Sequence, residues 1–190
     1  SESVLYLPGS YQPQDEFQGA DGPRAFPPPP PFPRERDEEG IPRSAFVLGC
    51  LQRTNKLDPD AFDDWMNALR MAPRAVLWLL SGHEDDAERN LRAEAAARGV
   101  NPRRLHFANR VDKAGYLERL ARVDLFLDTR PYGAHTTAAD AMWTTTPVLT
   151  MLPETRSGFA SRVGASLVEA TGLSGVLLAG GRGAYSATAA

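Results

Sequence analysis

The segment "RPYGAHTTAADAMW", Arg130 to Trp143, places a glycine, a histidine and two threonines between an apolar run and a stretch with helical spacing. A helix that starts near Thr136 has unpaired N–H groups and the positive end of its dipole there. Phosphate is the usual occupant of such a place, and the Thr136 and Thr137 hydroxyls and the His135 imidazole can donate to its oxygens. The same residues also allow a plainer arrangement, in which threonine caps the helix and His135 is a surface residue. Lys56, in "LQRTNKLDP", directly follows another apolar run. Lys113, Tyr116 and Arg119 are spaced i, i+3, i+6 at the start of a further helical stretch, which puts them on roughly one face. Asp140 falls one helical turn after Thr136, where a carboxylate can accept from a ribose hydroxyl or serve the helix end. Each of these also fits an ordinary solvated position. His83 and His106 read as loop and strand residues without a chemical role. No metal-ligand spacing, nucleophile elbow, Walker loop or GxGxxG fingerprint is present.

The elements that must position these residues alternate from Ser44 onward. "AFVLGCL", "AVLWLLS", "RLHFAN", "DLFLDT", "PVLTML" and "SGVLLAG" read as strands. "AVLWLLS" is a continuous apolar run of the kind buried on both faces of a sheet. Helices fall between them: "DPDAFDDWMNALRM", with Asp58 as cap, Pro59 in the first turn and Phe62, Trp65, Met66 and Leu69 as its apolar stripe; "DDAERNLRAEAAARG", stopped by Gly99; "KAGYLERLARV", with Leu117, Leu120 and Ala121 inward; "TTAADAMW"; and "GFASRVGASLVEATG", with Phe159, Val163 and Leu167 on one face. Alternating strands and helices imply an α/β fold: a Rossmann-like parallel sheet, right-handed crossovers and helices on both faces. Ligands bind such sheets outside the carboxyl ends of the strands. Lys56 and "DTRPYGAHTTAAD" both belong there, so they are expected to face one cavity. Gly133 is expected to let the backbone approach a ligand.

Residues 1–43 differ. "SVLYLP" has the makings of one short strand, and "FPPPPPFPRERDEEG" is proline-rich and then charged, which favours polyproline II. Residues from about Gly19 to Gly40 are expected to be an exposed insert whose removal changes ligand affinity by no more than about twofold. The 190 residues suffice for one domain with a full core. The net charge of -3 argues against general nucleic-acid binding, and no apolar run reaches the roughly 20 residues a membrane span needs. A single cysteine, Cys50, excludes an internal disulfide and a thiolate metal cluster.

Taken together, "SVLYLPGSYQPQD", "NKLDPDAFDDWMNAL", "AVLWLL", "VDLFLDTRPYGAHTTAADAMW", "PVLTMLPET" and "FASRVGASLV" resemble the O-linked N-acetylglucosamine transferase family, including its bacterial relatives and the SPINDLY branch. The resemblance covers most of the chain apart from the proline-rich insert and the last residues. It implies that residues 44–190 are the second, nucleotide-sugar-binding lobe of a two-lobed GT-B glycosyltransferase, with residues 1–43 leading into it. The helical repeats (of the TPR type) and the first lobe then belong to a longer protein. The implied reaction is inverting transfer of a sugar from UDP-N-acetylglucosamine to protein Ser or Thr hydroxyls, in the cytoplasm or the nucleocytoplasm, without a metal or other cofactor.

The implied roles follow residue by residue. Lys56 neutralises the diphosphate leaving group. His135, Thr136 and Thr137 hold the diphosphate, and Asp140 meets the ribose. Val111 and Lys113 lie beside the uracil, and Arg119 contacts the base. Tyr116 stands where many members have histidine; it can stack on the base, but its phenol is unsuited to the histidine's proton handling. Arg53 stands where the family more often has an amide. Two other readings compete: fucose transfer from a GDP-sugar, as in the SPINDLY branch, against which His135 argues, and a non-catalytic lobe that binds nucleotides or partners.

Overall fold

The computed structural model describes Ser10 and residues 18–19, 22–23, 39–81, 85–152 and 158–190. The expected strand at "SVLYLP" and nearly all of the proline-rich insert lie outside those residues. The exceptions are a two-residue antiparallel ladder, Gln18–Gly19 against Gly22–Pro23, and the insert's last residues, Glu39 and Gly40.

Six parallel strands form the sheet: β1 (Phe46–Cys50), β2 (Ala75–Leu80), β3 (Leu105–Ala108), β4 (Leu125–Leu127), β5 (Val148–Met151) and β6 (Leu178–Ala179). Their order across the sheet is β3-β2-β1-β4-β5-β6. Helices α1 (Pro59–Met71), α2 (Asp85–Ala97), α3 (Lys113–Leu120), α4 (Thr136–Trp143), α5 (Val163–Ala170), α6 (Ser174–Leu177) and α7 (Arg182–Ala189) make the crossovers and the final cover. The chain steps outward from β1 to β3, then returns past β1 to begin β4. Right-handed crossovers therefore put α1 and α2 on one face and α3, α4 and α5 on the other. Contacts of α7 with α1, and of α4 with both α3 and α5, agree. The winding reverses between β1 and β4, and the crevice above that reversal is where such folds bind ligands.

Local chemistry explains the elements. Asp58 accepts from the Ala61 N–H at 2.6 Å, with Pro59 next to it, so α1 starts there. The α1 stripe of Phe62, Trp65, Met66 and Leu69 is buried, as its spacing predicts. Gly99 ends the α2 segment at φ +75°, a conformation that disfavours other residues. Every residue of β2 from Ala75 to Leu79 is buried, which accounts for its unbroken apolar sequence.

The structure departs from the sequence reading in four places. The segment at "GFASRVG" is a separate 3-10 turn, Phe159–Ser161, before α5, and Phe159 is 63% exposed rather than inward. "SGVLLAG" divides into the short α6 and a two-residue β6. Helix α7 is an addition; its Tyr185, Ser186 and Ala189 are buried, although "RGAYSATA" is too small and polar to announce a packed helix. Glu39, expected to belong to the exposed insert, is paired with Arg119, and Ile41 after it is 1% exposed in the core.

Gly49, in β1, is set by sheet-to-helix packing. A Cβ there would come within 2.6 Å of Val123 Cγ2. Gly49→Ala is expected to lower stability by about 1–3 kcal/mol through overpacking, read as a fall in the midpoint of urea unfolding with no change in slope.

Candidate functional site

A cleft of about 700 Å³ opens at the carboxyl ends of the strands, above the β1/β4 reversal. From the β1 side it is lined by Gln52, Arg53 and Lys56, and from the β3–α3 side by Asn109, Arg110, Val111, Tyr116 and Arg119. The β4–α4 side supplies Tyr132, His135, Thr136 and Thr137. Among the described residues that line it, four are cations (Arg53, Lys56, Arg110 and Arg119) and none is a carboxylate. In a chain of net charge -3 that is a local reversal of sign, and it favours an anionic ligand.

The loop from β4 to α4 is built around Asp128, which is 4% exposed. Its Oδ1 accepts from the Thr129 N–H at 2.7 Å and the Ala134 N–H at 2.6 Å, and its Oδ2 accepts from the Thr150 hydroxyl at 2.8 Å. Burial pushes its pKa up, while these hydrogen bonds and the Lys56 charge oppose the shift. Gly164 in α5 leaves room for the carboxylate, since a Cβ there would overlap Asp128 Oδ2. The loop is tied from outside as well. The Tyr185 hydroxyl donates to the Asp128 carbonyl at 3.1 Å, and Arg130 pairs with the buried Asp64 of α1 at 2.5 Å. Gly133 turns inward, not toward a ligand: a Cβ would sit 3.2 Å from the Ala160 carbonyl.

Lys56 ends a 3-10 turn, Thr54–Lys56, and reaches across the reversal. Its ammonium donates to Gln52 Oε1 at 3.0 Å and to the Gly133 carbonyl at 3.2 Å, and lies 4.5 Å from the Tyr132 ring centroid. Gln52 in turn donates to Thr129 Oγ1 at 3.3 Å. The partners in contact with the ammonium are neutral. Desolvation lowers the Lys56 pKa, opposed chiefly by the Asp128 charge. The Tyr132 and His135 rings stack with centroids 5.0 Å apart, and His135 Nε2 is 3.1 Å from the Ala160 carbonyl. A carbonyl only accepts, so Nε2 carries a proton in this arrangement.

Helix α4 begins at Thr136 with His135 as its cap, without a side-chain capping bond. The threonine capping that the sequence allowed is therefore not what starts this helix. Thr136 is exposed to the cleft. The Thr137 hydroxyl oxygen is buried without a hydrogen-bond partner, and so is the Tyr116 hydroxyl. Both residues line the cleft. Buried polar groups are normally paired, and these two hydroxyls, on one cleft, have their bonding capacity left for a ligand.

Of the nine residues singled out in the sequence, seven line this one cleft: Lys56, Val111, Tyr116, Arg119, His135, Thr136 and Thr137. Lys113 and Asp140 do not line it. They pair with each other at 2.6 Å, with Asp140 buried. Asp128, Gln52 and Tyr132 were missed. The signal for Asp128 was available, as an acid closing an apolar strand; Gln52 and Tyr132 carry none until the loops meet. Among the described residues no group of three or more His, Cys, Asp or Glu is placed to hold a metal ion.

A parallel sheet in 3-2-1-4-5-6 order, flanked by helices, is a Rossmann-type lobe with the fold of GT-B glycosyltransferases. Residues 28–190 match the model of glycosyl transferase family 41, and the chain belongs to that family. It is 32% identical over 176 residues to an Arabidopsis thaliana protein named "Probable UDP-N-acetylglucosamine--peptide N-acetylglucosaminyltransferase SEC", covering 91% of this chain and 17% of that one. It is 34% identical over 138 residues to the UDP-N-acetylglucosamine--peptide N-acetylglucosaminyltransferase of Caenorhabditis elegans, covering 73% of this chain and 12% of that one. The chain thus spans less than a fifth of either relative. Among solved structures, an O-GlcNAc transferase mutant from Thermobaculum terrenum superposes with a TM-score of 0.71 at 29% identity, over 86% of this chain and 30% of that one. Sucrose-phosphate synthase from Thermosynechococcus elongatus, at 12% identity and a TM-score of 0.51 over 81% of this chain and 43% of that one, shares the fold.

The Asp128 network yields a paired expectation. Asp128→Ala leaves two buried N–H groups and a hydroxyl without an acceptor and is expected to cost about 3 kcal/mol or more. Asp128→Asn keeps Oδ1 as acceptor and turns its amide toward the Thr150 oxygen, so it is expected to cost less than half as much. Urea unfolding of the two variants side by side checks the order.

Proposed function

We propose that residues 44–190 are the nucleotide-sugar-binding lobe of a protein O-GlcNAc transferase, with residues 1–43 as the lead-in. The observation that carries this is the cleft's one-sided charge among the described residues that line it: four cations, no carboxylate, and a helix N-terminus with an unpaired hydroxyl beside it. A nucleoside diphosphate is the anion that fits a cleft of this size at this point of the fold. The names of the relatives supply a donor, UDP-N-acetylglucosamine, and a peptide acceptor; the Ser or Thr hydroxyl as the acceptor group follows from the family resemblance of the sequence motifs.

In this reading the bond from the anomeric carbon to the diphosphate breaks while the acceptor oxygen attacks from the opposite face. The acceptor proton leaves to a base outside this lobe. Charge builds on the departing diphosphate, and the lobe's work is to stabilise it. The α4 N-terminus offers roughly half a unit of positive charge. Lys56 supplies a full unit by leaving Gln52 and the Gly133 carbonyl for the phosphate oxygens. Thr136, Thr137 and His135 hold the diphosphate, Val111 and Arg119 border the base, and Tyr116 stacks on it. Lys113 and Asp140 act as a pair, with the carboxylate directed to the ribose after Lys113 shifts. No metal or other cofactor is needed for this chemistry. The setting we propose is the cytoplasm or nucleocytoplasm. Among the described residues no helix is long and apolar enough to cross a membrane.

Calorimetric titration of this chain with UDP and GDP tests the reading: UDP is expected to bind at least tenfold more tightly. A preference for GDP would favour the fucosyl branch, and binding of neither would favour a non-catalytic lobe. In the full-length enzyme, Lys56→Ala is expected to lower kcat by about 10²-fold and UDP affinity by much less, because the leaving charge peaks in the transition state.

The lysine also sets a pH dependence. Its pKa is lowered in the free protein, and a bound diphosphate raises it again, so binding takes up a proton only at pH values between the two. UDP affinity is therefore expected to rise as the terminal phosphate ionises near pH 6, hold level, and fall as pH climbs through the lowered lysine pKa, below 10.5. Lys56→Met should abolish the alkaline fall and leave the acid limb in place.

A further inference from the structure

The base side of the cleft depends on a residue that neither the sequence motifs nor the proposed roles include. Arg119, on α3, does not point its guanidinium freely into the cleft. Its Nε donates to Glu39 Oε1 at 2.8 Å, and its Nη1 donates to the Asn109 carbonyl. Arg122 stands behind the same carboxylate oxygen, at 3.8 Å. The Arg119 and Glu39 side chains are only 14% and 19% exposed, so the pair is shielded from water far more than a surface ion pair. Glu39 itself is fixed in the chain, because Gly40 turns at φ +68° and Ile41 is sunk in the core. The segment Asn109–Val111 leaves β3 without a strand or helix to hold it. Arg119 binds its first carbonyl, and Asn109, Arg110 and Val111 all line the cleft.

We propose that Glu39 is a positioning residue for the base side of the cleft. It orients Arg119, and through the Arg119 bond to the Asn109 carbonyl it holds the Asn109–Val111 backbone in place to meet a nucleobase. Glu39, two residues before the buried anchor at Ile41, thereby belongs to the nucleotide site, although by composition it is in the tail of an acidic, proline-rich insert. The consequence for affinity rests on the nucleotide-binding reading given above; the consequence for the backbone does not.

The test uses the whole chain and two measurements. In the first, backbone relaxation by NMR without nucleotide, order parameters of Asn109, Arg110 and Val111 are expected near the rigid value of about 0.85 and to drop below about 0.7 in Glu39→Ala. Glu39→Gln keeps an acceptor oxygen at the same reach and should recover part of that order. Arg119→Met should match Glu39→Ala, and the double variant should add nothing further, as expected of residues acting in series. In the second, titration with UDP, Glu39→Ala is expected to weaken binding by about three- to tenfold, a change of roughly 0.7–1.4 kcal/mol, with a melting temperature within a few degrees of the parent. Unchanged order parameters at Asn109–Val111 would overturn the proposal, as would a lowered melting temperature with UDP affinity and backbone order both intact. A parent chain that binds neither UDP nor GDP, yet loosens at Asn109–Val111 in Glu39→Ala, would sink the nucleotide reading and leave the positioning role standing.

Discussion

The site depends on one carboxylate that does not line the cleft. Asp128 closes β4 and gathers two backbone N–H groups of the following loop and the Thr150 hydroxyl from β5. A buried carboxylate is costly unless its acceptors are filled, so the loop has little choice about its path: Thr129 and Ala134 must both return to the same oxygen. That path sets where α4 begins, and it delivers the Gly133 carbonyl to Lys56. Gly164 on α5 is small because the carboxylate occupies the space a side chain would need. The cleft's positive wall is thus assembled over a buried negative charge. The Asp128 field opposes the desolvation of Lys56, which favours retention of its proton in a half-buried position.

Much of this was legible in the sequence because it follows from periodicity. The strand runs, the α1 stripe and the Asp58–Pro59 start are local signals, and alternation of strand and helix is enough to imply a parallel sheet. The rule that ligands sit at the carboxyl ends of the strands then joins Lys56 to Thr136, although 80 residues separate them in the numbering. Helix α7 escaped because its burial is decided by partners far away. Tyr185 looks unremarkable until it reaches the Asp128 carbonyl, and Ser186 until it meets the α1 backbone at Asp64. Gln52 and Tyr132 escaped for the same reason. Glu39 is the clearest case: it closes a charged run, and a charged run ordinarily means solvent. Only the fold shows that two arginines wait for it.

Charge is distributed in the cleft by function, not by residue type. Arg119 is committed to protein acceptors and acts on the shape of the cleft, while Lys56 is held by neutral groups alone and can be recruited. The Lys113–Asp140 pair lies between these cases, since one partner is buried and the other about a third exposed. The departure at Tyr116 fits the same division. Burial, with the Asp140 charge second, pushes the phenol pKa up, so Tyr116 stays neutral at any physiological pH. A histidine at that position would titrate near neutrality; a tyrosine contributes a ring face and a hydroxyl that finds no partner within the protein.

The resting contacts of Lys56 bear on how such a lobe separates binding from catalysis. A lysine paired to a carboxylate at rest must break a charge-assisted bond to serve the substrate, and that loss offsets the gain. In the proposed function the ammonium exchanges its present contacts, an amide oxygen, a peptide carbonyl and a ring face, for phosphate oxygens. Neutral acceptors are the weaker partners by roughly a factor of two, so the exchange is favourable. It becomes more so as negative charge accumulates on the leaving oxygen, because the ammonium does not have to be desolvated again at that moment. The carboxylate that sustains the lysine's charge, Asp128, acts at a distance with its oxygens already occupied by Thr129, Ala134 and Thr150. Its charge favours the protonated form of Lys56 without competing for it, and the buried network that shapes the loop is also what leaves the lysine available.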